Sequence, residues 1–208
     1  MTEQLGKWKG QFGDEYTDRN LSDDINIQQR MMMWNGIFMH IAHDLPNKIL
    51  EVGAGIGANL ISIANLYNNI QREVKLTAIE PNDKAKNYLK RIQHTKIVEQ
   101  DIFKIEATNG KFDLSFTCGV LIHVRPDQLN QAMAEMYRVT RKYILCIEYF
   151  SPECRELSYR GENNILWSND FGSLYLKWFP LRCVGYGFLW KRMSGLDNLS
   201  WFLFEKTH

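Results

Sequence analysis

The 208-residue chain contains no unbroken apolar run of about 18 residues, the length that a membrane-spanning helix needs. Its opening, Met1-Thr2-Glu3-Gln4, is polar and lacks the apolar stretch of a secretory leader. Neither sign of charge is in excess. Lys and Arg number 25 against 24 Asp and Glu, a net charge of +1, without the basic face that nucleic-acid binding favours. Cysteine is scarce. Cys118, Cys146, Cys154 and Cys183 stand at no metal-ligand spacing, and three of them fall in or beside expected strands, where cysteine acts as a small apolar residue. These absences point to a cytoplasmic protein with reduced thiols, no membrane or nucleic-acid partner and no metal. Repeats, low-complexity stretches and linkers are missing too. The length suits a single α/β domain over residues 1–208, as monomer or homodimer.

The most informative segment is Ile49-Leu50-Glu51-Val52-Gly53-Ala54-Gly55-Ile56-Gly57-Ala58-Asn59. An apolar run leads through an acidic residue into three alternate glycines, and a helical apolar pattern follows. This describes a buried strand, a tight turn and a helix N-terminus. Glycine lets the turn bend and lets a ligand lie against backbone. The helix start presents unpaired N–H groups. An adenine-containing cofactor fits such a loop. The dinucleotide motif is Gly-x-Gly-x-x-Gly, whereas the spacing here is Gly53-x-Gly55-x-Gly57, with Glu51 just ahead. An acid at that point favours S-adenosylmethionine (SAM), whose methionine end carries a cationic amino group.

Further strands are expected at Val74 to Ile79, ending in Glu80-Pro81-Asn82, at Lys96 to Ile102, ending in Asp101, and at Phe112 to Gly119. An acid at the second strand tip accepts hydrogen bonds from ribose hydroxyls, in NAD enzymes as well. Helices are expected at Asp24 to Ala42, after the glycine loop to about Asn68, and at Asn82 to Ile92, Asp127 to Thr140 and Ser168 to Trp178, the last with Ser168 as N-cap. Met31-Met32-Met33 in the first of these reads as core. Strands alternating with helices argue a parallel sheet. Right-handed crossovers then bring Glu51, Glu80, Asp101, Cys118 and Glu148 to one edge. Leu181 to Trp190 and Leu199 to Glu205 read as a terminal antiparallel hairpin, joined through Met193-Ser194-Gly195-Leu196-Asp197-Asn198.

On these residues the chain resembles the class I SAM-dependent methyltransferases. The resemblance implies a Rossmann-like fold, a mostly parallel seven-stranded sheet with a C-terminal antiparallel hairpin and helices on both faces. It implies SAM as cofactor and S-adenosylhomocysteine (SAH) as product. It also implies a cofactor-binding set of Glu51, Gly53, Ala54, Gly55, Gly57, Asn59, Glu80, Pro81, Asp101, Ile102, Cys118 and Gly119, with Asp101 and the following N–H meeting the adenine. Trp8 to Asn20, Gly119-Val120-Leu121-Ile122-His123, Glu148-Tyr149-Phe150-Ser151-Pro152 and Tyr159-Arg160-Gly161 resemble, more narrowly, the methylase family associated with pseudaminic acid biosynthesis. That family often has a histidine after Tyr-Arg-Gly, where this chain has Glu162.

Trp8, Phe12, Tyr16, Arg19 and Asn20 recur at helical spacing, an amphipathic helix with an aromatic face. Residues 1–22 are expected to form a lid, Arg19 forking onto the SAM carboxylate and Tyr16 touching donor or acceptor. Acceptor chemistry centres on His123, expected as the base for O-methylation, with Glu148 as second candidate. Tyr149, Tyr159 and Arg160 complete the acceptor set, and the arginine suits an anionic sugar. The expected function is methyl transfer to a small molecule, a sugar or nonulosonic acid or its nucleotide conjugate. The alternatives are N- or C-methylation of another metabolite, or SAM binding without catalysis.

Overall fold

A computed structural model describes residues 3–20, 23–194 and 196–207. Residues 1, 2, 21 and 22 of the expected lid, and Gly195 of the expected hairpin connection, lie outside the described residues. The chain divides into two compact units, Met1–Asp101 and Ile102–His208.

The first unit opens with α1 (Glu3–Lys9), α2 (Gln11–Arg19) and α3 (Asp24–Met39). The aromatic run read as one helix is two, divided at Gly10. Then come β1 (Lys48–Val52), α4 (Ala58–Asn69), β2 (Lys75–Ile79), α5 (Asp83–Leu89) and β3 (Thr95–Val98). Both strand pairs are parallel, Glu51 opposite Ala78 and Ile79 opposite Val98. The third strand stops at Val98 rather than Asp101, because Glu99, Gln100 and Asp101 break its apolar pattern. Of the methionine run, Met33 is buried whereas Met32 is 66% exposed. Consecutive helical residues point about 100° apart, so three in a row cannot all face a core.

The second unit contains β4 (Phe112–Cys118), α6 (Leu129–Val139), β5 (Thr140–Glu148), β6 (Arg155–Glu156), β7 (Trp167–Ser168), α7 (Phe171–Trp178), β8 (Leu181–Leu189), α8 (Lys191–Ser194) and β9 (Leu199–Lys206). Ile144, Leu145, Cys146 and Ile147 of β5 are wholly buried, as in a strand covered on both faces. On α6, Leu129, Ala132, Met133, Met136 and Val139 form the buried stripe. The expected N-cap of α7 moves. Asp170 accepts from the Ser173 N–H across 2.8 Å, and Ser168 lies buried in β7. A carboxylate is the better acceptor at a positive helix end.

β4 and β5 are parallel, while β9 runs antiparallel to β5 and β8 antiparallel to β9. Among the described residues the first unit has the strand order β3-β2-β1 and the second β4-β5-β9-β8, the seven strands of a mostly parallel sheet that ends in the expected antiparallel hairpin.

Candidate functional site

Glu51 is the fourth residue of β1 and is 1% exposed. Its Oε1 accepts from Asn59 Nδ2 across 2.7 Å. Its Oε2 is buried and has no hydrogen-bond partner among the described residues. Burial pushes the Glu51 pKa up to about 8, against the Asn59 hydrogen bond and the Arg30 charge, with Glu80 adding to the rise. An unpaired buried acceptor costs about 1–3 kcal/mol. Such an oxygen suits a donor that arrives with a ligand, a cationic one above all.

The loop after Val52 turns through Gly53, Gly55 and Gly57 at φ 73°, 54° and 86°. At Gly57, which starts α4, a Cβ would lie 2.3 Å from the Ile92 side chain. At Gly55 a Cβ would meet nothing within 4 Å, so this backbone borders open space. The Gly53 and Ala54 N–H groups donate to the Ile79 carbonyl, and the Gly55 N–H donates to Glu80 Oε2 across 2.7 Å. The tip of β2 therefore holds the shape of the glycine loop. Glu80 also accepts from the Asn82 N–H. Burial raises its pKa, opposed by those two N–H groups. Pro81 and Asp101 are half-buried and Ile102 is buried.

Asn82 ties the N-terminal helices to this tip. Its Nδ2 donates to Asp14 Oδ1 (2.8 Å) and to the Trp8 carbonyl (3.2 Å), and its Oδ1 caps α5 at the Ala85 N–H. The Thr17 hydroxyl faces the same Asn82 oxygen and also donates to the Gly13 carbonyl. Tyr16 meets Trp8 edge to face. Arg19 lies 3.7 Å from Glu15, one turn back on α2, and Asn20 donates to the Tyr16 carbonyl.

In the second unit Cys118 ends β4, half-buried, and Gly119 (φ 69°) donates its N–H to the Ile147 carbonyl. A 3-10 turn, Leu121–His123, follows. Glu148 accepts from the backbone N–H groups of Val120, Leu121 and Ile122 at 3.1–3.3 Å. Burial lifts its pKa to about 7. Both of its oxygens thus serve the turn that presents His123, and the structure gives Glu148 no ion pair with Arg160. His123 Nδ1 lies 2.7 Å from the Ile165 carbonyl oxygen. Burial lowers the His123 pKa to about 4, although this bond opposes the fall.

Residues 155–168 form a narrow hairpin, pairing Arg155 with Ser168 and Glu156 with Trp167. Tyr159 and Glu162 exchange backbone hydrogen bonds around Arg160 and Gly161, at φ 54° and 80°. This two-residue reversal with positive φ at both positions is a tight hairpin turn. It sets the Tyr159 ring 5.8 Å from the His123 ring and the Arg160 guanidinium 5.9 Å from the Tyr159 ring. Three of the expected acceptor residues therefore stand together. Tyr149 instead donates to Asp197, which also pairs with Lys191.

A family model described as a methyltransferase domain matches residues 49–143. Residues 49–143 carry a methyltransferase domain. Comparison with curated proteins gave no match. Among solved structures, the chain is similar to the 1,6-didemethyltoxoflavin-N1-methyltransferase of Burkholderia thailandensis, crystallised with 1,6-didemethyltoxoflavin and SAH. Identity is 16% and the TM-score 0.74, over 99% of this chain and 90% of that one. It is similar also to the magnesium protoporphyrin IX methyltransferase of Synechocystis PCC 6803 with bound SAM, at 10% identity and a TM-score of 0.68, over 100% and 99%.

For a methyltransferase domain the Glu51 oxygen and the open backbone at Gly55 fit the ammonium and the body of SAM. Several participants escape a reading of the sequence. Arg30, whose Nη1 donates to Asn59, and Trp34 stand four residues apart on α3, a spacing that also describes ordinary helix packing. Asn82 is legible only as an N-cap. Ile165 acts through its carbonyl and leaves no sequence signal. Among the described residues no group of His, Cys, Asp or Glu is placed to hold a metal ion, and no helix is long and apolar enough to cross a membrane.

Proposed function

We propose that this methyltransferase O-methylates a small anionic acceptor in the cytoplasm, a sugar or nonulosonic acid or its nucleotide conjugate. The observation that carries the reading is the bond between His123 Nδ1 and the Ile165 carbonyl. A carbonyl only accepts, so the proton of the neutral ring sits on Nδ1 and Nε2 is the basic nitrogen. With its pKa lowered to about 4, the ring is neutral at physiological pH.

SAM supplies a methyl group on a sulfonium that is already a good leaving group. The acceptor hydroxyl must lose its proton as it attacks, and Nε2 of His123 takes it. The new bond joins oxygen to the methyl carbon, and the carbon–sulfur pair leaves with sulfur. Glu51 holds the donor's ammonium, Glu80 its ribose hydroxyls, and Asp101 and Ile102 its adenine. Gly53, Ala54, Gly55, Gly57 and Asn59 shape its seat, with Cys118 and Gly119 beside it. Arg160, carried on the Tyr159 turn, meets the acceptor's negative charge, with Tyr149 at its rim. Positioning of this kind supplies several kcal/mol of the barrier. Residues 3–20, with Tyr16, Arg19 and Asn20, act as the lid. Glu148 supports the His123 turn rather than the proton transfer. The Trp8 to Asn20 and Tyr159-Arg160-Gly161 segments, which resemble the pseudaminic-acid-associated methylases, support the choice of acceptor.

N-methylation of a planar heterocycle is the second reading. The Burkholderia thailandensis enzyme is an N1-methyltransferase of 1,6-didemethyltoxoflavin, and the Tyr159 and His123 rings, in edge contact with each other, would offer an aromatic surface to such an acceptor. The deciding experiment is SAH release from SAM against acidic sugars, their nucleotide conjugates, neutral sugars, amines and heterocycles, with His123→Ala as control. Turnover of an acidic sugar that the variant loses supports O-methylation. Turnover confined to a heterocycle or amine and retained by the variant establishes the second reading.

A further inference from the structure

We infer that Arg30 is a positioning residue of the donor site: through Asn59 it sets the orientation and the charge of Glu51. The inference rests on the reading of Glu51 as the carboxylate that meets the donor's ammonium.

Arg30 sits half-buried in the middle of α3. Its Nε donates to Asn26 Oδ1 across 3.0 Å, which steadies the side chain along its own helix. Its Nη1 donates to Asn59 Oδ1 across 2.8 Å. Trp34, one turn on, directs its indole N–H at the same oxygen at 3.4 Å. A primary amide can be turned over at little steric cost, but here two donors converge on one end of it. Turned over, Asn59 would set its NH2 against the Arg30 and Trp34 donors and its oxygen against the Glu51 carboxylate. Both contacts would then be repulsive. The α3 donors therefore decide that Nδ2 faces Glu51, where it holds Oε1 at 2.7 Å. The carboxylate is pinned by one oxygen, and the buried second oxygen is kept for the ligand.

Arg30 also acts on Glu51 directly through its charge. The charged groups acting on Glu51 are Arg30 from α3 and Glu80 from the tip of β2, while Asn59 from α4 is neutral. Burial and Glu80 favour the protonated carboxyl, and Arg30 favours the ionised one. An ammonium binds the ionised form, so binding releases a proton whenever Glu51 begins protonated. Removing the Arg30 charge makes that proton harder to release.

The test is SAH binding by calorimetry at about pH 6 to 9.5 for wild type, Arg30→Gln, Arg30→Lys and Glu51→Gln, with melting curves of each. Wild-type affinity should rise with pH through about pH 8 and level off above it. Arg30→Gln should lose about tenfold at pH 7.5, with its rise displaced by about one pH unit, and should melt close to wild type. Arg30→Lys should restore the pH midpoint but only part of the affinity, because an ammonium lacks the guanidinium fork. Arg30→Gln with wild-type affinity and midpoint overturns the inference. So does a pH-independent loss of affinity together with a large fall in melting temperature, which marks a merely structural role. If Glu51→Gln binds SAH as wild type does, the donor-site reading itself fails, whatever Arg30 does.

Discussion

His123 presents its Nδ1 to the backbone carbonyl oxygen of Ile165 at 2.7 Å, across 42 residues of chain. The partner is a backbone atom, so no substitution of the Ile165 side chain deletes it. The bond decides which ring nitrogen is basic, and burial decides that the ring stays neutral. Replacing His123 by Ala should lower kcat by about 10²- to 10⁴-fold, the usual contribution of a positioned base, and leave SAH affinity unchanged. The His123 pKa of about 4 lies well below the ordinary 6.5. Protonation of this ring should therefore produce no fall in kcat until the pH drops below about 5. A pH–rate profile and calorimetry check both points.

Glu51→Gln should separate stability from binding. The folded-state pKa of Glu51 is raised from 4.5 to about 8. Between these values the native carboxyl keeps a proton that the unfolded chain gives up, so wild-type stability falls as pH rises through this window and the loss is complete above it. The amide has no such loss. Relative to wild type, the variant should gain stability from about pH 4.5 upward, on the order of a few kcal/mol by pH 8, and should lose SAH binding. Melting curves from pH 5 to about 9 measure the first effect and calorimetry the second.

Gly55→Ala places a methyl group where the structure has open space, at φ 54°. The conformational cost is about 1–3 kcal/mol, and the methyl group stands where the backbone is bare for a ligand. SAH affinity should fall much further than the melting temperature does. Equal, small losses in both would mean that no ligand approaches this backbone.

Gly13→Ala tests the docking of the N-terminal helices. A Cβ there would sit 1.9 Å from the Trp8 carbonyl oxygen and 2.8 Å from Asn82 Nδ2. The first is a backbone atom and the second is held by Asp14 and the Trp8 carbonyl, so α2 must shift. Overpacking of this kind costs about 1–3 kcal/mol. Limited proteolysis should cut residues 3–20 faster in the variant, with the remaining chain still resistant.

Arg160→Ala should raise the acceptor KM and leave SAH affinity unchanged, because the side chain stands exposed on the Tyr159 turn. Steady-state kinetics with the acceptor found in the panel check this. An unchanged KM removes the anion contact from the proposal.

Much of the architecture was legible in the residues. The buried strand ahead of the glycine loop, Lys48–Val52, was legible because a buried parallel strand is a short continuous apolar run and glycine ends it abruptly. The terminal hairpin followed from alternation and turn residues. The misreadings came where two local signals compete. Serine is a common cap, so Ser168 signals one in the sequence, but Asp170, two residues on, binds a helix start more strongly. The N-terminal aromatics have helical spacing on both sides of Gly10, so the break was invisible to periodicity. The apolar character of the methionine run points to the core, but a helix turns consecutive side chains in different directions.

The site divides along the same line. Residue type and spacing along a strand, a turn and a helix start pointed to the glycine loop, to Glu51 and Glu80, and to His123 and Arg160, because backbone geometry and hydrogen-bonding capacity are local properties. Long-range contacts settled their states. Burial raised Glu51 and left one of its oxygens unpartnered. Arg30 and Trp34, more than 20 residues before Asn59, oriented the amide that holds it. Three backbone N–H groups claimed Glu148, and a carbonyl from a later hairpin chose the tautomer of His123. Desolvation and hydrogen bonding between distant segments exist only once the chain has folded, and so the partners and burial of these residues were decided there and not by the local sequence.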